Sequence, residues 1–319
     1  MQNYCTLFNV NYLPRGLNLY HSLMKVSKNF RLFIFAFDDL TYQYLKDLKL
    51  KKVVLISLKE FEDKKLKKVK KTRTKTEYFW TCTGSTILFL FRKYKLRSCT
   101  YLDADLYFYR DPKILIEESN KSSCIISKHN YSERYDQTKT SGIYCVQFMF
   151  FKNNLIGNKI LQDWRKKCIN WCFNRFENGK FGDQKYLDKW PKKYNNIYVL
   201  KNLGGGVAPW NVQQYDLLNN FKFQIKKNKK LKFDLVFYHF HNLKFMNNNI
   251  TYIGGYRIDK EIKEKIYNPY LKKVINIHKI IKKNKKFNNI NLNENYLSGG
   301  IFLARLFKRF IFNGNFLKN

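Results

Sequence analysis

Short hydrophobic runs alternate with amphipathic helical patterns from the first residues of the chain. Two segments, Gly16–Ser27 and Glu77–Tyr94, repeat apolar residues at helical spacing. Four short apolar runs predict β-strands: Cys5–Val10, Leu32–Phe37, Val53–Ser57 and Ser98–Leu102. A βαβ series of this kind predicts a mainly parallel sheet covered by helices, with ligands at the carboxyl ends of the strands.

The α/β pattern continues to about residue 260. Its later parts are a hydrophobic stretch at Tyr144–Phe151, an amphipathic helix around Leu161–Phe173, and strands near Ile197–Leu200 and Leu235–Phe240. Beyond residue 260 lysine becomes dense and no further strand pattern occurs. We therefore predict an α/β domain at 1–260 and a basic helical C-terminal region at 261–319.

The chain has 61 Lys and Arg against 24 Asp and Glu in 319 residues, a formal net charge of +37. Such an excess is typical of proteins that bind nucleic acid, an anionic membrane surface or a phosphorylated substrate. AT-rich codons, which favour Lys, Asn, Ile, Phe and Tyr, are a competing explanation. A disordered tail is excluded because 45% of the residues are hydrophobic and 18% are aromatic.

Two basic segments receive separate predictions. The run KKLKKVKKTRTK, at 64–75, is expected to be a solvated loop. The segment GIFLARLFKRFIF, at 300–312, predicts a basic amphipathic helix. Such a helix either lies at an anionic membrane interface or packs back on the domain.

Neither the cysteines nor the N-terminus indicates an exported protein. The seven cysteines lack metal-site spacing, so we expect reduced thiols. The N-terminus lacks the regions of a signal peptide, and the longest apolar run, from Ile143 to Phe151, is too short to span a membrane. These observations predict a cytoplasmic location, with peripheral attachment to the inner face of the cell membrane if the basic helix binds lipid.

An acidic pair follows the fourth predicted strand. Asp103 and Asp105, in YLDADLYFYRDP, lie between one apolar run and the next. Because burying bare carboxylates is costly, they should be paired, protonated or bound to a metal. Carboxylate oxygens at positions i and i+2 suit Mg²⁺ or Mn²⁺ on a diphosphate.

Two histidines flank an aromatic residue in LVFYHFHNLKF. His239 and His241 alternate with Phe240, so both project to one side of a strand end. A single histidine is more often structural, whereas a pair on one face favours a ligand role. Imidazole beside two carboxylates would favour Mn²⁺ over Mg²⁺.

A third polar pair, Asp183 and Gln184, lies in GKFGDQKYLDKW. The preceding glycine lets backbone approach a ligand, although an acidic residue in such a loop is more often a helix N-cap. The sequence has no nucleophile elbow, P-loop or GxGxxG motif. Serine hydrolases, P-loop NTPases and standard NAD enzymes therefore have no support.

In their order, several segments resemble a nucleotide-sugar-dependent glycosyltransferase of the GT-A fold, nearest to glycosyltransferase family 8. That family includes glycogenin and bacterial lipopolysaccharide galactosyl- and glucosyltransferases. The segments that carry the resemblance lie within about residues 4–245: NVNYLPRGLNLYHSL, EYFWTCTG, YLDADLYFYRDP, GDQKYLD, APWN and YHFHNLK. The resemblance implies a Rossmann-like, mainly parallel mixed sheet flanked by helices, a divalent metal and a nucleotide-sugar donor.

The resemblance also implies a role for each candidate site residue. The residues implied to contact the nucleotide are Asn9 and Tyr12 at the base, Asp103 at the ribose, and Arg73 and Lys75 at the phosphates. The residues implied to hold the metal are Asp103, Asp105, His239 and His241, with Asp105 as the main ligand, His239 as the third ligand and His241 as its neighbour. The residues implied to be catalytic at the transferred sugar are Asp183 and Gln184. The residues implied to line the acceptor side are Trp210 and Asn211.

Several positions depart from the family pattern. Val10 stands where the family often has Asp, and Asn242 replaces the Gly that follows the histidine. Cys145 and Gln147 replace the typical Asn and Gly of an N-S-G or N-V-G segment. These changes leave the donor sugar open and make an inactive transferase homologue an alternative hypothesis.

The leading hypothesis is a Mn²⁺- or Mg²⁺-dependent, retaining glycosyltransferase that moves a hexose from a UDP-sugar to a surface glycan or lipid-linked oligosaccharide. A basic nucleic-acid-binding protein is an alternative. Its aromatic residues, however, fall in core patterns rather than on one basic platform, so no nucleic-acid partner is expected. A phosphotransferase with Asp103 as nucleophile would require Thr or Val at position 107, where the chain has Tyr.

Overall fold

A mixed sheet of seven strands forms the centre of the protein. The structure is a computed structural model that describes residues 1–119, 121–246, 250–288 and 316–318. The strands are β1 (Gln2–Phe8), β2 (Phe30–Ala36), β3 (Val53–Ser57), β4 (Ser98–Leu102), β5 (Leu106–Phe108), β6 (Cys124–Lys128), β7 (Tyr144–Lys152), β8 (Ile197–Val199), β9 (Tyr215–Leu217), β10 (Lys222–Ile225), β11 (Asn228–Asp234), β12 (Phe237–His239), β13 (Lys244–Phe245), β14 (Ile250–Tyr252) and β15 (Phe316–Lys318). The central sheet has the order β3-β2-β1-β4-β7-β6-β8.

Most neighbours in this sheet run parallel. β1 pairs in parallel with β2 and β4, β2 with β3, and β6 with β8. β7 alone is antiparallel to both of its neighbours, β4 and β6. The predicted class, a mixed and mainly parallel α/β sheet flanked by helices, is confirmed.

Helices cover both faces of the sheet. They are α1 (Leu13–Val26), α2 (Asp39–Leu48), α3 (Leu58–Phe61), α4 (Lys64–Lys70), α5 (Lys75–Tyr94), α6 (Lys113–Glu117), α7 (Leu155–Asn170), α8 (Trp190–Lys193), α9 (Lys260–Ile262) and α10 (Asn268–Lys283), with a π-helical turn at Lys263–Tyr267. Alternate strand residues point to opposite faces. Phe33 and Phe35 pack in one core with residues of α5 and α7, whereas Leu32 and Ile34 pack in a second core with residues of α1.

Two helices correct the sequence predictions. The lysine run at 64–75 is not a loop throughout, because α4 occupies its first part, where the Asp63 carboxylate accepts a hydrogen bond of 3.0 Å from the Leu66 N–H and Leu66 is buried. α7 begins at Leu155 rather than near residue 161, since the Asn154 side chain caps it by accepting from the Gly157 N–H. Helix α2 and strand β6 had no sequence prediction.

The C-terminal region joins the same hydrophobic cores as the rest of the chain. Ile281 of α10 and Phe287 pack with residues of α1 and α2, and the Phe287 ring lies 4.9 Å from that of Tyr44. The expectation of no strand beyond residue 260 is wrong, because β15 pairs antiparallel with β14. The helix predicted at 300–312 lies outside the described residues, and the division at residue 260 stays a prediction.

The cysteines match the expectation from sequence. All seven are free thiols, and all are buried. Cys168 and Cys172 lie in the core that also holds Trp164. In the part of the chain that the structure describes, no helix is long and apolar enough to cross a membrane.

A methyl group at Gly16 tests the close contact of α1 with the end of β1. A Cβ at this position would lie 2.3 Å from Cε1 of the buried Phe8 ring. We expect Gly16→Ala to lower the free energy of unfolding by about 1 to 3 kcal/mol, measured by urea denaturation. Phe8→Leu makes room, so the double variant should lose less than the sum of the two single losses. Additive losses would contradict this packing.

Candidate active site

The antiparallel pairing of β5 with β12 assembles the centre of the site. Asp103 and Asp105 follow β4 at the carboxyl end of the parallel strands, and β5 begins directly after them. In the β5–β12 register His239 is opposite Leu106, and the Phe240 N–H donates to the Asp105 carbonyl at 3.0 Å. The chain therefore brings His239 beside both carboxylates.

These three side chains form a compact cluster with the geometry of a metal site. The Nε2 atom of His239 lies 3.1 Å from an oxygen of Asp105 and 3.8 Å from an oxygen of Asp103. One ligand atom from each side chain lies within 4.8 Å of the others. Asp105 and His239 are buried, and Asp103 is half-buried. Two carboxylates and one imidazole are a donor set that fits Mn²⁺. They fit Mg²⁺ less well, because Mg²⁺ prefers oxygen ligands.

The charges in the cluster depend on one another. Burial by itself would lower the pKa of His239, but Asp105 and Asp103 outweigh it and raise that pKa well above its usual value. Burial would raise the pKa of Asp105, but the neighbouring His239 holds it below its usual value. Burial raises the pKa of Asp103, and His239 offsets this only in part. The pocket therefore favours a cation between the two carboxylates.

His241 lies next to this cluster but is not one of its three members. Its ring centre is 5.7 Å from that of His239 and 5.4 Å from that of Trp210. Burial and the nearby His239 lower the pKa of His241 to about 4. A neutral imidazole is the form that binds metal, and the ligand role of His241 stays a prediction.

The side chain of Asp183 is buried with one oxygen unsatisfied. The backbone before it turns at Gly182, which has φ +50°, and the Trp164 indole N–H donates to the Asp183 carbonyl at 2.9 Å. The Oδ2 atom of Asp183 has no hydrogen-bond partner among the described residues. Burial, with a contribution from the charge of Asp103, raises the pKa of Asp183 to about 8. The carboxyl is not a helix cap, because the 3₁₀ turn that follows begins after Gln184 and has no side-chain cap.

Gln184 follows Asp183 and is half-buried. Its amide nitrogen donates to the Ser141 carbonyl at 2.8 Å, which orients the amide group. Gln184 is thus held through its side-chain amide and Asp183 through its backbone carbonyl, and a Cβ at the preceding Gly182 would lie 3.2 Å from the Trp80 ring.

The loop after β1 holds Asn9 and Tyr12. The Asn9 carbonyl accepts from the Tyr12 N–H at 3.0 Å, and the Val10 N–H donates to the Asp38 carboxylate at 2.9 Å. The guanidinium of Arg15 lies 4.4 Å from the centre of the Tyr12 ring. These contacts give the loop a defined shape. The loop lies near the cluster of Asp103, Asp105 and His239, because the charge of Arg15 contributes to lowering the pKa of Asp105.

Arg15 is a residue that the sequence reasoning missed. It is buried, and its guanidinium donates to the Leu243 carbonyl at 2.9 Å, which links α1 to the segment after His241. The available signal was an arginine inside the apolar start of α1, LPRGLNL. Arginine is almost never fully buried unless its charge is paired, so an arginine in an apolar helix start indicates a specific partner.

Lys75 is the first residue of α5, and Arg73 precedes the Thr74 N-cap of that helix. The Arg73 guanidinium stacks 3.8 Å from the centre of the Phe173 ring and donates to the Ile169 carbonyl at 3.4 Å. Lys75 is exposed. Among the described residues, no hydrogen bond or ion pair joins either side chain to the Asp103, Asp105 and His239 cluster, so their phosphate role stays a prediction.

Trp210 and Asn211 are both buried and both bind the His129 carbonyl. The Trp210 indole N–H and the Asn211 amide each donate to it at 2.8 Å. The Asn211 amide oxygen also accepts from the Ala208 N–H at 2.9 Å. The Trp210 ring meets the His239 ring edge-on at 5.3 Å. Asn211 therefore shapes the loop, and Trp210 packs against the cluster.

Comparison with known proteins places the chain in a family. Residues 29–203, more than half of the chain, match the model of the nucleotide-diphospho-sugar transferase family. The protein belongs to that family. Its membership in glycosyltransferase family 8 in particular stays a prediction.

Relatives and solved structures are similar to this chain over most of its length. Two proteins of Bacillus subtilis (strain 168) match: uncharacterized protein YfnF at 30% identity, covering 77% of this chain and 83% of YfnF, and uncharacterized protein YfnD at 27%, covering 84% and 87%. Mouse xyloside xylosyltransferase 1 in its apo form is 13% identical, with a TM-score of 0.48, over 76% of this chain and 98% of its own. The galactosyltransferase LgtC, in complex with donor and acceptor sugar analogs, is 8% identical, with a TM-score of 0.48, over 86% and 96%.

The unsatisfied carboxyl of Asp183 predicts a pH-dependent stability. Its pKa is about 8 in the fold, whereas an aspartate in an unfolded chain has its ordinary pKa of 3.8. Between these values the unfolded chain binds fewer protons, so stability falls as pH rises, by at most about 1.4 kcal/mol per pH unit. Asp183→Asn removes this loss. We expect the variant to be more stable than the wild type at pH 8 and nearly equal at pH 4.

The measurement is the free energy of unfolding against pH, in EDTA to keep the site free of metal. Asp47→Asn, at an exposed position of α2, is the control and should leave the wild-type profile unchanged. A difference between Asp183→Asn and the wild type that does not vary with pH would refute the raised pKa.

Proposed function

We propose that the protein is a metal-dependent glycosyltransferase that moves a hexose from a UDP-sugar to a surface glycan or a lipid-linked oligosaccharide, as in lipopolysaccharide biosynthesis. The observation that carries this proposal is the Asp103, Asp105 and His239 cluster at the carboxyl edge of the sheet. Membership in the nucleotide-diphospho-sugar transferase family supplies the donor class. The resemblance to family 8 supports a UDP-sugar and retention of configuration.

The cluster would hold Mn²⁺, or Mg²⁺ in its place. An oxygen of Asp105 and the Nε2 atom of His239 lie 3.1 Å apart, and Asp103 completes the set. A divalent ion here supplies Lewis-acid stabilisation of the diphosphate leaving group, worth several kcal/mol. No side chain then has to protonate that leaving group.

Residues of the chain would bind and orient the rest of the donor. In this proposal Asn9 and Tyr12 contact the base, and the cations Arg73 and Lys75 contact the phosphates. The loop shape that Asp38 and Arg15 maintain supports the base contact.

Asp183 and Gln184 would act at the sugar. A carboxyl with a pKa of about 8 is largely protonated at pH 7, so Asp183 offers a hydrogen-bond donor to a sugar hydroxyl. Gln184 presents an amide that the Ser141 carbonyl already orients. Trp210 would border the acceptor, and catalysis would consist mainly of positioning and electrostatic stabilisation.

A peripheral membrane location is part of the proposal, because a lipid-linked acceptor is presented at a membrane surface. The β10–β11 hairpin supports it: residues 226–232 are all exposed, and they comprise five lysines, one asparagine and Leu231. Each lysine near an anionic leaflet contributes about 1 kcal/mol of attraction. The cytoplasmic face of the cell membrane carries such lipids.

Turnover of UDP-sugars tests the reaction. We expect hexose transfer or UDP release that requires Mn²⁺ or Mg²⁺, and a fall of at least about 100-fold in Asp105→Asn, since each 1.4 kcal/mol of lost stabilisation is tenfold in rate. Asp47→Asn is the matched control. Unchanged activity in Asp105→Asn would refute the metal assignment, and a wild type that binds UDP-sugar with Mn²⁺ but never turns it over would favour the inactive homologue.

Sedimentation with lipid vesicles tests the membrane location. Lys229→Glu, Lys230→Glu and Lys232→Glu together should reduce binding to vesicles that contain phosphatidylglycerol by at least about tenfold, because three attractive charges are reversed. The control is the same change at three exposed lysines of α4, Lys64→Glu, Lys65→Glu and Lys68→Glu. An equal loss in both variants would show that only net charge matters, and wild-type protein that ignores anionic vesicles would refute the location.

A further inference from the structure

Gln147 contacts two of the three residues of the metal cluster. It lies in β7 next to the ends of β4 and β12, and its side chain is fully buried. Its carbonyl accepts from the Asp103 N–H at 3.0 Å. Its side-chain oxygen lies 2.7 Å from the Nδ1 atom of His239. One residue therefore contacts both the backbone of Asp103 and the ring of His239.

The contact with His239 selects which ring nitrogen carries a proton. The Nε2 atom faces Asp105 at 3.1 Å, so it is the atom that must offer a lone pair to a cation. A neutral imidazole with a free Nε2 has its proton on Nδ1, and that proton needs an acceptor. The amide oxygen of Gln147 is such an acceptor at 2.7 Å.

A second buried side chain orients the amide of Gln147. The Nε2 atom of Gln147 donates to the hydroxyl of Ser127 in β6 at 3.5 Å. The Ser127 residue is 2% exposed. The opposite orientation would aim the NH₂ group at Nδ1, which would require a lone pair there and a proton on Nε2. That form of His239 cannot bind a metal through Nε2.

We propose that Gln147 is a positioning residue of the metal centre, which holds the Nδ1 proton of His239 and thereby directs the Nε2 lone pair between Asp103 and Asp105. Ser127 supports this role by holding the amide orientation. The inference rests on the metal site of the proposed function, and it explains why a position that departs from the family pattern is compatible with a working centre.

A space-filling role for Gln147 makes the opposite prediction. If Gln147 only fills space, Gln147→Met should keep the affinity for Mn²⁺, because methionine has the same length. On that view Gln147→Glu should be the harmful variant, because it buries a charge. A positioning role requires an acceptor, so Gln147→Glu should restore what Gln147→Met loses. The two roles therefore predict opposite orders of Mn²⁺ affinity for Gln147→Met and Gln147→Glu.

Affinity for Mn²⁺ alone is the main readout, measured by electron paramagnetic resonance of the free ion during titration. We expect Gln147→Met to bind Mn²⁺ about 10- to 100-fold more weakly than the wild type, the usual effect of losing a hydrogen bond to a metal ligand. Gln147→Glu should remain within about threefold of the wild type. Wild-type affinity in Gln147→Met, or equal loss in Gln147→Glu, would overturn the inference.

A measurement on the wild type keeps the inference testable if a variant does not fold. Nitrogen-15 NMR of the full chain loaded with Zn²⁺, which is diamagnetic, reports the protonated nitrogen of His239. We expect the proton on Nδ1, and a proton on Nε2 would overturn the inference. Ser127→Ala, which frees the amide, should weaken Mn²⁺ binding by less than Gln147→Met does.

Failure of this inference and failure of the proposed function give different results. Mn²⁺ binding with the expected order of the variants, but no sugar transfer, would leave the positioning role standing and refute the reaction. Mn²⁺ binding that is equal in all variants would refute the positioning role alone. A wild type that does not bind Mn²⁺ would refute both the metal site and the role of Gln147.

Discussion

The short antiparallel pairing of β5 with β12 is the constraint on which the site depends. It aligns His239 with the segment that follows the acidic pair, so that an imidazole lies within 3.1 Å of Asp105. Without this partner two carboxylates at a sheet edge would repel each other in a poorly solvated pocket. With it, the cluster is stable as a protonated imidazole between carboxylates, and a divalent cation can take the place of that proton.

The hydrophobic cores on the two faces of the sheet hold the segments that surround this pairing. On one face α5 and α7 pack so closely that a Cβ at Gly84 would lie 2.8 Å from the Trp164 ring. The same Trp164 donates its indole N–H to the Asp183 carbonyl. On the other face α1 buries Arg15, which connects the loop of Tyr12 to the carbonyl of Leu243. Rigid packing thus holds the Asp183 segment and the loop of Tyr12 in place around the cluster of Asp103, Asp105 and His239.

Residues with a strong local pattern were the ones that could be predicted. The acidic pair stands at the end of an apolar run, and the βαβ alternation alone places such an end at the ligand edge of the sheet. His239 ends a strand outside the central sheet, so the alternation does not bring it to that pair. Positions whose role comes from a distant partner could not be recognised. Gln147 looked only like a departure from a family pattern, and its hydrogen bond to His239 exists because β7 is inserted antiparallel between β4 and β6.

The sequence by itself determined the periodicity of the strands and helices, the α/β class and the identity of the acidic and imidazole groups, because these follow from local spacing and residue chemistry. The tertiary structure alone decided which of them meet. It joined His239 rather than His241 to the acidic pair, left Asp183 with an unsatisfied oxygen, and gave Arg15 and Gln147 their contacts. Distances, burial and the resulting pKa shifts arise from segments far apart in the chain, and no local pattern encodes them.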